Sequence, residues 1–95
     1  MNNKSVKVIF SKKVRGKDPR SYIQQKATKL NLKGYVRIML DQSLEVCACG
    51  EKNSLDNLIT FLKELLGDEA GNTTEITWDN CQIAENRFTI KHSSS

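Results

Sequence analysis

From residue 55 to residue 66, apolar side chains recur at helical spacing: Leu55, Leu58, Ile59, Leu62, Leu65 and Leu66. Such a stripe makes a helix with one apolar face, which is stable only against a second apolar surface. Alternating runs precede and follow it, Leu44 to Cys49 and Thr74 to Trp78, so that surface is a sheet. The chain has 95 residues, 38% of them hydrophobic and 27% charged. That is enough for one modest core and too little for two. One domain over 1–95 is expected.

The rest of the chain fits this frame. Val6, Val8 and Phe10 alternate with Lys7, Ile9 and Ser11, a strand with one face on a core. Asp18-Pro19 reads as a helix start, with aspartate at the N-cap and proline at the first helical position. Ile23, Ala27 and Leu30 continue a helix over 19–31, with Tyr22 beside the stripe. Asn31 suits the left-handed position after the helix, and Leu32 folds back to close it. Residues 34–39 form a second strand, which returns through Asp41-Gln42 as a third over 44–49. Asn53 or Ser54 caps the second helix, over 55–66, and Gly67 ends it. Residues 74–78 are a fourth strand and 87–91 a short last one.

The order is β-α-β-β-α-β plus a short C-terminal strand. Both helices carry a single stripe and must cover the same sheet face. The expected fold is an α+β, ferredoxin-like two-layer sandwich, with both helices on one face of a mainly antiparallel sheet. Crossovers of the usual hand put the first and third strands at its centre.

Charge is distributed unevenly. Residues 1–37 hold eleven Lys and Arg against one acid, Asp18, and residues 38–95 hold four against ten. Either the basic half meets an anionic partner, or the fold interleaves the halves and neutralises them. The densest cluster is Lys12-Lys13-Val14-Arg15-Gly16-Lys17-Asp18-Pro19-Arg20, at a strand-to-helix turn. Backbone N–H groups point outward at such a turn and favour an anion. No apolar run nears the ~20 residues that span a bilayer, and no secretory h-region follows Met1, so a cytoplasmic protein without a membrane segment is expected. Three cysteines in that setting suggest reduced thiols. Cys47 and Cys49 share a strand face and could join Cys81 or His92 around a metal, but buried free thiols are commoner. Trp78 and Tyr35 could stack on bases, although packing in the core or on the sheet is the commoner use.

Two segments resemble signatures of the acylphosphatase family. In the basic turn Val14, Gly16 and Arg20 match in place, while Lys12, Arg15, Lys17, Asp18 and Pro19 depart. The second signature is similar to Gly34-Tyr35-Val36-Arg37-Ile38, followed without gaps by Gln42, Leu44 and Gly50. The second helix and Phe88-Thr89-Ile90 are also similar, so the resemblance covers about residues 5–91 as a single acylphosphatase-like domain.

The resemblance implies metal-free hydrolysis of a carboxyl-phosphate anhydride, with no cofactor. It gives Arg20 and the loop N–H groups the phosphate, making Arg15, Gly16, Lys17 and Arg20 the candidate binding residues. The family uses an asparagine to orient the attacking water, and Ile38 stands at that position. Isoleucine has neither donor nor acceptor. Pro19 lacks an N–H, and an Asp18 carboxylate at the N-cap would take donors that a phosphate needs. The expectation is an anion-binding acylphosphatase-like protein whose hydrolysis is weak or lost. The alternatives are an active acylphosphatase, or a basic module that binds nucleic acid or an acidic protein. A monomer acting on a small phosphate-bearing anion or acyl phosphate completes the reading.

Overall fold

The computed structural model describes residues 4–10, 19–39, 43–66, 74–80 and 86–91. They form β1 (Lys4–Phe10), α1 (Arg20–Lys29), β2 (Lys33–Ile38), β3 (Leu44–Gly50), α2 (Lys52–Leu66), β4 (Thr74–Asn80) and β5 (Phe88–Ile90). The five strands make one sheet in the order β4-β1-β3-β2-β5. β1–β3, β1–β4 and β2–β3 are antiparallel, and β2–β5 is parallel. This is the expected ferredoxin-like sandwich with a mixed sheet. β3 takes the centre of the five strands because β5 adds outside β2.

Alternation decides the layers. Val6, Val8, Phe10, Val36, Leu44, Val46, Ala48 and Phe88 point to one side and form the core with Ile23, Ala27, Leu55, Leu58 and Leu62. α1 lies over β2 and β5, and α2 over β1 and β3. The edge strand β4 receives little cover, and both Ile76 and Trp78 stay exposed. A core place for Trp78 is therefore not what the fold provides. It sits on the helix side of β4 and meets only the start of α2, where Lys52 Nζ is 5.7 Å from its ring centroid.

Helix ends show where local sequence was sufficient. Asn31 has φ 59°. Leu32 N donates to Ala27 O at 2.9 Å and Asn31 N to Thr28 O at 3.0 Å. That is a complete Schellman closure, and it buries Leu32. The N-terminal readings need correction. Pro19, not Asp18, takes the N-cap place, with φ −82° and ψ −5°. Its ring presets a near-helical φ, and its carbonyl accepts from Ile23 N at 3.0 Å. α2 begins at Lys52, and Leu55 N donates to Glu51 O at 3.0 Å, so Asn53 and Ser54 lie inside the first turn. A Lys52–Asp56 pair at 3.0 Å spans that added turn. Leu65, counted in the apolar stripe, is exposed, because Leu55, Leu58 and Leu62 already fill the core and the last turn outruns it. The connections through Asp41-Gln42 and Gly67 lie outside the described residues.

Leu62 has no solvent exposure. Leu62→Ala should cost ~2–5 kcal/mol of stability, through lost transfer energy and the cavity left behind. Chemical denaturation reads the change directly. A loss within the ~0.5 kcal/mol of surface scatter would remove Leu62 from the core.

Candidate functional site

Strand direction gathers the candidate residues at one end of the sheet. Phe10 and Ile38 both pair with Leu44, so the end of β1, the end of β2 and the start of β3 lie side by side. α1 starts after the connection from Phe10 and closes into Lys33 at the far end, so Arg20, its first residue, stands at the same end as Ile38. The N–H groups of Arg20, Ser21 and Tyr22 belong to the first helical turn and lack intrahelical acceptors. Arg20 is half-exposed and Pro19 beside it is buried. Ile38 is partly buried and packs against the core. Arg15, Gly16 and Lys17, and with them Asp18, lie outside the described residues.

Gly34 explains why the second motif opens with glycine. Its φ is +136°, a region that side chains rarely enter. A Cβ there would overlap the Cys47 carbonyl oxygen and come within 3.0 Å of Ala48 Cα. β2 therefore approaches β3 closely at this point, and the register carries on to Ile38 opposite Leu44.

The opposite sheet face carries polar groups that the linear sequence kept apart. Arg37 Nε donates to Glu45 Oε1 at 2.6 Å, a pair dictated by the β2–β3 register. Glu45 is buried, and the bond raises the Arg37 pKa above its ordinary value. Cys47 Sγ donates to the Tyr35 hydroxyl at 3.2 Å. Burial pushes both the Tyr35 phenol and the Cys47 thiol up, so neither is an activated nucleophile. A two-residue turn at Asp41-Gln42 would set Arg37 opposite Val46; the observed register, with Ile38 opposite Leu44, sets it opposite Glu45. It also shows that the basic and acidic halves of the chain do interleave at this point.

Cys47 is free, but Cys49 is in a disulfide whose partner lies outside the described residues. The expectation of reduced thiols is corrected there, because spacing along one strand cannot show what the fold brings from elsewhere. A sulfur so engaged also leaves any ligand set built on Cys47 and Cys49. Among the described residues no three His, Cys, Asp or Glu side chains converge on a metal-sized site. No helix of the described residues is long and apolar enough to cross a membrane.

The family model for acylphosphatase matches residues 6–90. The chain belongs to the acylphosphatase family. It is 33% identical over 82 residues to the acylphosphatase of Acaryochloris marina, covering 86% of each chain. It is 30% identical over 79 residues to that of Colwellia psychrerythraea, covering 83% of this chain and 86% of the relative. The structure of an acylphosphatase from Coxiella burnetii superposes with a TM-score of 0.72 at 26% identity, covering 95% of this chain and 94% of that one.

Proposed function

We propose that this acylphosphatase-family chain holds a small phosphate-bearing anion at the start of α1 and hydrolyses acyl phosphates weakly or not at all. Arg20 and the Arg15-Gly16-Lys17 segment are the binding residues in this reading. Cations and backbone N–H groups stabilise charge on the equatorial phosphate oxygens, which is mostly an electrostatic and positional task. Hydrolysis also requires a water held in line with the leaving carboxylate. The observation that carries the reading is Ile38, an apolar side chain packed on the core where the family has a polar one. A single well-placed polar group of this kind is worth about 10²–10³-fold in rate.

Asp18 further separates binding from turnover. A carboxylate two residues before Arg20 in the sequence repels an anion held at the start of α1. Asp18→Gly should tighten phosphate binding by about two- to fivefold, the equivalent of the ~0.3–1 kcal/mol that a charge near a helix end is worth. The shifts of the Arg20 and Ser21 amide signals during a phosphate titration measure it. The gain should shrink as salt is raised, since exposed charges are screened beyond about 10 Å at 0.1 M. Arg20→Ala should abolish the shifts. If wild type binds as tightly as Asp18→Gly, the loop is an unobstructed cradle and the active-enzyme reading moves ahead. The extent of the match to proteins named acylphosphatase favours that second reading.

A further inference from the structure

We propose that Cys49 and Cys81 form a redox-sensitive strap that holds the edge strand β4 in the sheet. The chain has three cysteines, Cys47, Cys49 and Cys81. Cys47 is free and Cys49 is in a disulfide, so Cys81 is its partner. In the sequence Cys81 follows directly on Asn80, the last residue of β4. Cys49 stands on β3, and β1 runs between the two strands, with Ser5 opposite both Cys49 and Asp79. A disulfide spans at most ~6.8 Å between Cα atoms. Strands β4 and β3 are two strand spacings apart, about 9.5 Å. The bond therefore ties the end of β4 across β1 to the central strand.

β4 is the less covered of the two sheet edges. It pairs with β1 alone, and the helices pack mainly on the other strands, so Ile76 and Trp78 stay exposed. β5 also has one neighbour, but α1 lies over it and its Phe88 is buried. Segments with few buried apolar contacts are the first to open. A covalent tie limits that opening, because a strand that leaves must stay within reach of β3. Cys47 does not take the place of Cys49 in the bond. It is buried and donates its S–H to the Tyr35 hydroxyl at 3.2 Å, and exchange needs a thiolate. A dithiol reductant opens the strap. Its thiolate attacks one sulfur to give a mixed disulfide, and its second sulfur then displaces the protein. Two electrons and two protons pass to Cys49 and Cys81, which become thiols, and the reductant closes to a disulfide. β4 is then free to detach locally, which leaves β1 as the edge of a sheet in the order β1-β3-β2-β5.

Trp78 is the chain's one tryptophan and reports on β4 directly. The test compares the protein with and without excess dithiothreitol, by acrylamide quenching of Trp78 and by amide hydrogen exchange. On reduction, exchange in β4 should quicken about tenfold or more and quenching should rise, while exchange in β2 and β3 stays within about twofold. Cys81→Ser should show the same pattern without reductant, and Cys47→Ser should behave as wild type. Circular dichroism confirms that each form is folded, and thiol labelling counts the cysteines released. Peptide mapping that finds Cys49 joined to anything but Cys81, or finds three thiols before reduction, would overturn the proposal. Equal acceleration in every strand would replace it with a bond that stabilises the whole fold. If three thiols form and neither Trp78 nor the β4 amides respond, pairing with β1 holds the strand unaided and the strap has no such role. A bond that dithiothreitol leaves closed in the folded protein is a permanent crosslink, and its redox sensitivity is then refuted.

Discussion

Gly34→Ala should be among the most damaging single substitutions in this chain. The position has φ +136°, and an added methyl would strike the backbone of β3 at Cys47 and Ala48, not a side chain that can swing aside. Backbone strain of this kind costs ~1–3 kcal/mol before any overlap is counted. β2 must also move away from the central strand, which loosens pairing on both sides of the contact. A total near 3 kcal/mol or more places the change at or above the upper end of the ~0.5–3 kcal/mol usual for point mutations. In a domain of this size that lowers Tm by roughly 12–24 °C. Thermal unfolding followed by circular dichroism is the measurement. A loss under about 1 kcal/mol would show that β2 and β3 have room at this point. The result bears on function because β2 ends at Ile38, and its pairing with β3 sets where that residue stands.

The second large effect is on turnover. Ile38→Asn should raise hydrolysis of a small acyl phosphate by about tenfold or more, toward the 10²–10³ that one well-placed polar group contributes. Stability should fall at the same time, by roughly 1–3 kcal/mol, because a partly buried apolar side chain is exchanged for an amide. Both readouts are needed, so that a failed gain in rate is not mistaken for a failed fold. The gain should also require Arg20, and Ile38→Asn/Arg20→Ala should fall back to the wild-type rate. Strong wild-type turnover that disappears in Arg20→Ala would mean that another group orients the water and that Ile38 does not limit the reaction. An Ile38→Asn protein that is folded, binds phosphate and remains inactive would place the defect in the Asp18-Pro19 turn.

How much was legible follows from the range of the forces involved. The end of α1 could be read from Asn31 and Leu32 because a Schellman closure is made by residues within one turn of each other. The apolar periods of β1, α2 and β3 needed only the rule that an amphipathic element covers an apolar face, and these gave the layers. The two motifs could be matched because they are contiguous, and Arg20 and Ile38 followed from them. The start of α2 was less legible. Lys52, Asn53 and Ser54 differ little in helix propensity, and packing of Leu55 decides the phase.

What only the tertiary structure decided is what depends on residues far apart in sequence. The burial of Glu45 beside Arg37, the cations around Tyr35 and the disulfide at Cys49 all arise where separate strands or segments meet. The exposure of Trp78 belongs with them. Its strand reads as half-buried, yet β4 takes the edge of the sheet and α2 covers β1 and β3 instead. Periodicity is a property of one element and specifies which of its faces is apolar. Whether a neighbour covers that face is a property of the whole sheet, and here it was settled by a strand order that places β4 at the edge, while the helices pack mainly on β1, β2, β3 and β5.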